Sequence, residues 1–160
     1  MVAVKKTEPV PTIRENEQKW GRKLMAAGWT AFPSVILERQ QALGLDSVDV
    51  CILLHIARHW WYKDKLPFPE KKTIADCLGV HPRTVQRRIA AMERDGLIKR
   101  LTRKDPRYGQ RSNYYDLSGL ISAASEYADE LRQTRAVVKA EKERRRTRKR
   151  LVGSPLRLAE

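Results

Sequence analysis

The sequence has few cysteines, no long hydrophobic run and a shortage of acidic residues. Its two cysteines, Cys51 and Cys77, are too few for a disulfide framework and indicate a reducing compartment. No apolar run approaches the roughly 20 residues that span a bilayer, and the N-terminus lacks the apolar core of a signal peptide. These absences predict a cytoplasmic protein without a membrane segment.

The sequence also lacks the residue patterns of catalysis and cofactor binding. No nucleophile–base pair, glycine-rich phosphate loop or carboxylate constellation is present, so we expect neither an enzyme nor a cofactor. Cys51, His55 and His59 share one helical stripe and have metal-ligand spacing, but no Glu completes an H-E-x-x-H pattern. A core cysteine with two surface histidines is the preferred interpretation, so no metal site or small-molecule ligand is predicted.

Positive charge is the most informative property of the composition. Lys and Arg number 33 against 19 Asp and Glu, which gives a formal net charge of +14. Such an excess attracts a polyanion, either nucleic acid or an anionic membrane surface. The densest basic block, residues 139–150, lacks the sustained apolar face that a membrane-surface helix requires. Nucleic acid is therefore the expected partner. For the block itself DNA, RNA and a solubilising role stay open, and binding to the DNA backbone is preferred.

Residues 71–96 are predicted to form two helices joined by a tight turn at residues 79–81. The second helix has its strongest apolar residues on one face: Val85, Ile89 and Met92. The opposite face carries Arg83, Gln86, Arg87 and Ala90. Arg pairs with guanine and Gln with adenine in the major groove, so this face is predicted to read DNA bases. Thr84, near the helix start, is predicted to contact a phosphate.

A basic hairpin is predicted to follow the two helices. Residues 97–101 and 112–117 are the expected strands, and residues 102–111 form the connecting loop. The loop contains one acid, Asp105, and four basic residues: Arg103, Lys104, Arg107 and Arg111. A loop of this charge beside a groove-reading helix can straddle the phosphate backbone or enter the minor groove.

An apolar helix is predicted upstream, from Ser47 to Trp61, with Asp46 as its cap and Asp49 favouring its first turn. Its apolar residues lie on nearly every face of the helix, so it is expected to be the buried central helix of the domain. The aromatic run at its end, Trp60, Trp61 and Tyr62, can stack on single-stranded bases. Aromatic packing at the helix end or a subunit contact is the preferred interpretation of that run.

Several segments of residues 33–117 resemble a winged helix-turn-helix domain of bacterial, phage and plasmid proteins. They are a Pro before a helix, the helix and turn at 73–80, the start of the next helix at 83–87, and the Asp-Gly-Leu-Ile at 95–98. The resemblance implies a mainly α fold with a small β-hairpin wing. It also implies a transcriptional regulator or the DNA-binding part of a replication protein.

The sequence departs from the family pattern at three positions. Glu70 and His81 stand where a capping Ser or Thr is usual. Arg88 stands where a hydrophobic residue is expected, with Ile89 replacing it. The last departure predicts a slightly rotated recognition helix.

Helical extensions are predicted on both sides of the domain, which spans residues 29–117. Residues 1–28 form an arm and a short helix, and residues 118–160 form a long helix with a basic tail. A weak heptad up to Val138 makes the first half of that helix a candidate dimerisation segment. Residues 139–150 are expected to be frayed or disordered without DNA. Four arginines of that block are predicted to bind DNA: Arg144, Arg145, Arg146 and Arg148.

The predicted function is sequence-specific binding of double-stranded DNA, most simply as a transcriptional regulator. A homodimer is expected because a single helix reads few base pairs, and two half-sites multiply the discrimination. Two alternatives stay open. One is the DNA-binding module of a phage or plasmid replication initiation protein, and the other is a nucleic-acid-coating protein with little sequence preference.

Overall fold

The computed structural model describes residues 13–152 of the chain. Within these residues it contains seven helices: α1 (Ile13–Trp20), α2 (Arg22–Ala26), α3 (Ser34–Glu38), α4 (Ser47–Arg58), α5 (Lys71–Leu78), α6 (Pro82–Arg94) and α7 (Ser118–Val152). The strands of this part of the chain are β1 (Lys99–Leu101), β2 (Lys104–Asp105), β3 (Gly109–Gln110) and β4 (Tyr114–Asp116). The first part of the predicted N-terminal arm and the end of the basic tail lie outside the described residues.

Helix α4 is the centre of the core, as the apolar pattern predicts. Its start is fixed by a capping box, in which Asp46 Oδ1 accepts from the Asp49 amide at 2.9 Å and Asp49 Oδ2 accepts from the Asp46 amide at 3.0 Å. This arrangement pairs two amides that a helix start otherwise leaves without partners. The helix ends at Arg58, three residues before the predicted Trp61.

The core is formed where α4, α5 and α6 meet beneath the sheet. Buried side chains from these three helices include Ile52, Leu53, Ile56, Ile74, Val85, Ile89 and Met92. Because α5 and α6 each contribute a single apolar face, their opposite faces stay available to solvent. The helix-turn-helix unit is therefore held rigidly from one side.

The strands form a wing of two short antiparallel ladders. Strand β1 pairs with β4, with Arg100 opposite Tyr115, and β2 pairs with β3 farther along the hairpin. Tyr115 is buried against the core, and its amide donates to the Pro67 carbonyl at 2.9 Å. The molecule is thus mainly α with a small β wing, and the predicted winged helix-turn-helix fold is confirmed.

Helix α7 begins on the core and then extends beyond it. Leu120 and Ala124 are buried, and the Leu120 amide donates to the Leu97 carbonyl at 2.9 Å. Farther along, Arg135 pairs with Glu38 of α3 at 3.0 Å. The helix continues to Val152, so the expectation of a frayed or disordered block at 139–150 is wrong for the described structure. Strong helix formers and an ion pair between Arg145 and Glu141 favour its continuation.

The N-terminal segment differs from the single helix that was expected there. Gly21 has a φ of 85° and separates α1 from α2. Neither helix contains a buried residue. Helix α3 ends at Glu38, and a series of turns leads from it to Gly44.

None of the helices within residues 13–152 has the combination of length and apolar character that a membrane crossing requires.

Candidate nucleic-acid interface

The turn between α5 and α6 sets the direction of the second helix. Gly79 ends α5 with a φ of 66°, a left-handed conformation that glycine adopts without strain. His81 then caps α6, because its Nδ1 accepts from the Arg83 amide at 3.1 Å. Pro82 occupies the first helical turn, where a missing amide hydrogen costs nothing. His81 thus performs the role that a Ser or Thr has in related domains.

Helix α6 presents the two faces that the sequence predicts. Val85, Ile89 and Met92 are buried. On the opposite side Arg83, Gln86 and Arg87 are exposed, whereas Thr84 and Ala90 are half-buried. The exposed side therefore offers two guanidinium groups and one amide in adjacent turns. These are the groups suited to guanine and adenine edges in the major groove.

Arg88 has a role that the sequence reasoning missed. Its Nε donates to Asp49 Oδ1 at 2.7 Å, and its Nη2 contacts the carboxylates of Asp49 and Asp46. These contacts raise the pKa of Arg88, chiefly through the hydrogen bond to Asp49. Because Asp49 is buried, this pair ties one side of α6 to the first turn of α4. The departure from the family pattern at Arg88 is explained by this link between helices.

The other end of α6 is tied to the wing. Glu93 accepts three hydrogen bonds from Arg100 of β1: from the backbone amide at 3.0 Å, from Nε at 2.7 Å, and from Nη2. The side-chain bond from Arg100 is the main reason why the pKa of Glu93 is lowered. Helix and wing therefore keep a fixed relative orientation.

Three of the four wing cations are exposed and one is half-buried. Lys104, Arg107 and Arg111 are exposed, and Arg103 is half-buried. The Arg103 guanidinium lies 4.0 Å from the centroid of the Phe68 ring, and the Arg111 guanidinium lies 4.6 Å from that of Tyr108. Stacking on a ring fixes the position of a cation without removing its charge, so all four predicted wing residues keep a positive surface next to α6.

A groove of about 360 Å³ lies between the wing and the start of the helix-turn-helix unit. Its lining residues are Glu70, Lys71, Lys72, Pro82, Arg111, Ser112, Asn113 and Tyr115. Three of these residues are cations, which come from the first turn of α5 and from the wing. The sequence reasoning did not single out Lys71 and Lys72, although two adjacent lysines at a predicted helix start were a visible signal.

The predicted contacts of the C-terminal block lie far from α6 along the chain. Arg144, Arg145, Arg146 and Arg148 are exposed on α7. At 1.5 Å per residue, Arg144 lies roughly 39 Å along the helix from Ser118. The structure thus separates the basic surface of α6 and the wing from a second basic surface on α7.

The histidines of α4 are not gathered into a metal centre within residues 13–152. His55 is half-buried and His59 is exposed. In this part of the chain no three potential ligands among His, Cys, Asp and Glu come together. Burial, followed by the charges of Arg58 and His55, lowers the pKa of His59, which favours a neutral imidazole at pH 7.

The fold and the exposed face of α6 define the class as a winged helix-turn-helix protein. Residues 43–98 match the family model described as a helix-turn-helix domain, so this part of the chain is similar to that family. No curated protein sequence matches the chain.

Solved structures resemble the chain at low sequence identity. The N-terminal domain of the DnaD protein from Geobacillus kaustophilus is 20% identical, with a TM-score of 0.50 over 77% of this chain and 96% of that chain. A mutant of MepR from S. aureus is 19% identical, with a TM-score of 0.40 over 89% and 95%. CouR from Rhodococcus jostii, bound to p-coumaroyl-CoA, is 14% identical, with a TM-score of 0.40 over 92% and 95%. At such identities the likeness concerns the fold alone.

Proposed function

We propose that the protein is a transcriptional regulator that binds double-stranded DNA sequence-specifically. Residues 29–117 act as the DNA-binding domain, residues 1–28 and 118–160 are its extensions, and the place of action is the cytoplasmic nucleoid. Helix α6 lies in the major groove, and the wing lies along the adjacent backbone.

The observation that carries this proposal is the arrangement of side chains on α6. Arg83, Gln86 and Arg87 are exposed opposite a fully buried apolar face. An exposed bidentate donor on a rigid helix can discriminate between bases, whereas a flexible basic tail neutralises phosphates of any sequence. Arg88 supports the same interpretation, because its pairing with Asp49 reduces rotation of the helix about its axis.

The wing and the groove beside it supply the proposed backbone contacts. Lys104 and Arg107 reach solvent at the wing, while Lys71 and Lys72 line the groove together with Arg111. Cations on both sides of a reading helix hold it in register on the duplex. We expect the half-buried Thr84 near the start of α6 to donate to a phosphate close to the helix N-terminus.

We propose that the regulator acts as a homodimer. A single helix contacts three or four bases, so two copies on an inverted repeat are needed for discrimination within a genome. Exposed apolar side chains on the N-terminal helices, Trp20 and Leu24, offer a surface for association. Together with Trp29 they line a cavity of about 430 Å³.

Selection of bound duplexes from a random library, followed by footprinting on the DNA upstream of the native gene, tests the proposal. A regulator is expected to enrich one inverted repeat and to protect that repeat near a promoter. Enrichment of repeats that map to a replication origin would instead indicate an initiation module. Failure to enrich any sequence at physiological salt would contradict sequence-specific binding and indicate a coating protein.

A further inference from the structure

The aromatic run that ends α4 does not pack as a unit. Trp60 is half-buried and packs against the core. Trp61 and Tyr62 are 71% and 67% exposed, so two large rings stand in solvent immediately after the helix. The expectation that the run packs at the helix end therefore holds for Trp60 alone within this chain.

These two rings form one side of an open cavity of about 400 Å³. The cavity is lined by His59, Trp61, Tyr62, Lys65, Leu66, Phe68 and Pro69. Its walls are thus mainly aromatic, and it holds one ammonium group, because Lys65 Nζ lies 5.3 Å from the centroid of the Tyr62 ring. A planar, π-rich group that belongs to an anion satisfies both features.

The cavity is attached directly to the wing. The Phe68 carbonyl accepts from Ser112 Oγ at 2.9 Å, and the Pro67 carbonyl accepts from the Tyr115 amide at 2.9 Å. Phe68 also lies beneath the Arg103 guanidinium. The same ring therefore forms part of the cavity and part of the basic surface that faces DNA.

The surroundings of the cavity are positively charged. Arg58, Lys63 and Lys65 are exposed close to it in sequence, and the Arg103 guanidinium lies over the Phe68 ring. Two acids, Asp64 and Glu70, are also close in sequence. This surface interleaves cations with aromatic rings. A nucleic-acid strand uses both, because its phosphates pair with the cations while its bases stack on the rings.

We propose that this cavity is a single-strand site, in which unpaired bases of a DNA strand stack on Trp61 and Tyr62. The site goes beyond the duplex reading assigned to α6. Since Phe68 joins the two surfaces, a strand that leaves a duplex on the wing side reaches the cavity without crossing the core. The protein would thus hold a junction between paired and unpaired DNA.

The test measures binding of the full chain to labelled oligothymidine by fluorescence anisotropy. An abasic oligomer of equal length has the same phosphates without bases, so it reports the purely electrostatic contribution. The variant combines Trp61→Ala with Tyr62→Ala. The matched control combines Leu37→Ala with Ile121→Ala, which removes two exposed apolar side chains outside every surface proposed to bind. Because all four side chains are largely exposed, circular dichroism should show unchanged folding for both proteins.

Wild-type protein and the control should bind oligothymidine more tightly than the abasic oligomer. The Trp61/Tyr62 variant should lose roughly ten-fold or more in oligothymidine affinity, down to the abasic level, with duplex affinity unchanged. Equal oligothymidine affinity in variant and wild type would overturn the proposal. So would a change confined to the sedimentation coefficient, which would assign the rings to a protein contact. The duplex measurement tests the proposed regulator separately.

Discussion

Arg88 illustrates how one side chain can position the proposed reading helix through a contact inside the protein. It lies on α6 next to Arg87, yet its guanidinium pairs with Asp49, whose side chain is only 4% exposed. Such a pair is weak evidence for net stability, but removal of one partner leaves an uncompensated buried charge. The two residues are 39 positions apart, so no local sequence pattern could have predicted the contact.

Replacement of Arg88 by methionine should destabilise the fold by about 3 kcal/mol, because the Asp49 carboxylate is left buried and unpaired. Urea denaturation at pH 7 measures the loss. The double variant Arg88→Met with Asp49→Asn should recover part of the lost stability, since the amide still accepts in the capping box without a charge. A single variant within about 0.5 kcal/mol of wild type would show that the pair does not hold the helix.

Glu93 provides a pH-dependent prediction at the same scale. The Arg100 hydrogen bonds lower its pKa below the ordinary value of 4.5. A carboxyl group whose pKa is lower in the folded state stabilises the fold above its unfolded pKa, and this contribution is lost as pH falls through the folded pKa. Glu93→Gln should therefore be less stable than wild type at pH 7, and the difference should shrink below pH 4.5. A difference that stays constant from pH 7 to acid pH would contradict this assignment.

At the scale of elements, local chemistry was sufficient for some boundaries and insufficient for others. The Asp46 cap and Pro82 defined the starts of α4 and α6, because capping and proline geometry act within one turn. The break at Gly21 was missed, since glycine in a helical pattern only lowers helix propensity and does not dictate a break. The continuation of α7 through residues 139–150 was also missed, because repulsion between like charges predicts fraying there, whereas helix propensity and i,i+4 ion pairs favour the helix.

Local sequence patterns also predicted only part of the candidate site. The exposed face of α6 followed from a period of 3.6 residues, which is a local property. The stacking of Arg103 on Phe68, the groove beside Lys71 and the pairing of Arg88 required knowledge of which segments pack together. The sequence therefore predicted which residues face solvent, while packing between elements determined their neighbours.

Gly119 is where α7 is joined to the turn after α6. A β-carbon at this position would lie 1.9 Å from the Gly96 carbonyl oxygen, which is backbone and cannot rotate away. Gly119→Ala should therefore cost about 1–3 kcal/mol or more, measured by urea or thermal unfolding. Ser118→Ala, at an exposed neighbouring position, is the control and should change stability little. An unchanged unfolding midpoint for Gly119→Ala would contradict the close contact between Gly119 and the Gly96 carbonyl.

At the scale of the whole molecule, charge is divided between a folded domain and a projecting helix. The net charge of +14 supplies long-range attraction to DNA. Cations on α7 lie too far from α6 to read the same bases, so we expect them to increase affinity for every sequence alike. Specificity and general affinity would then depend on different parts of the chain.

Neutralising the α7 arginines tests this division of roles. Replacement of Arg144, Arg145, Arg146 and Arg148 by glutamine should reduce the slope of log affinity against log salt by roughly 0.9 for each phosphate that the protein no longer neutralises. The ratio between cognate and scrambled duplexes should not change. The control makes the same charge change on α1 and α2, at Arg14, Lys19, Arg22 and Lys23. If both variants reduce the salt slope equally, net charge alone determines affinity, and direct binding of phosphates by α7 is contradicted.

The most direct measurement of the central claim compares cognate with scrambled duplex for Arg83→Ala and Arg87→Ala. Arg22→Ala and Arg132→Ala, at exposed positions outside the interface, are the controls. If α6 reads bases, each of the first two substitutions should reduce discrimination by about 1–3 kcal/mol, while the controls leave it intact. Undiminished discrimination after loss of both Arg83 and Arg87 would contradict the account.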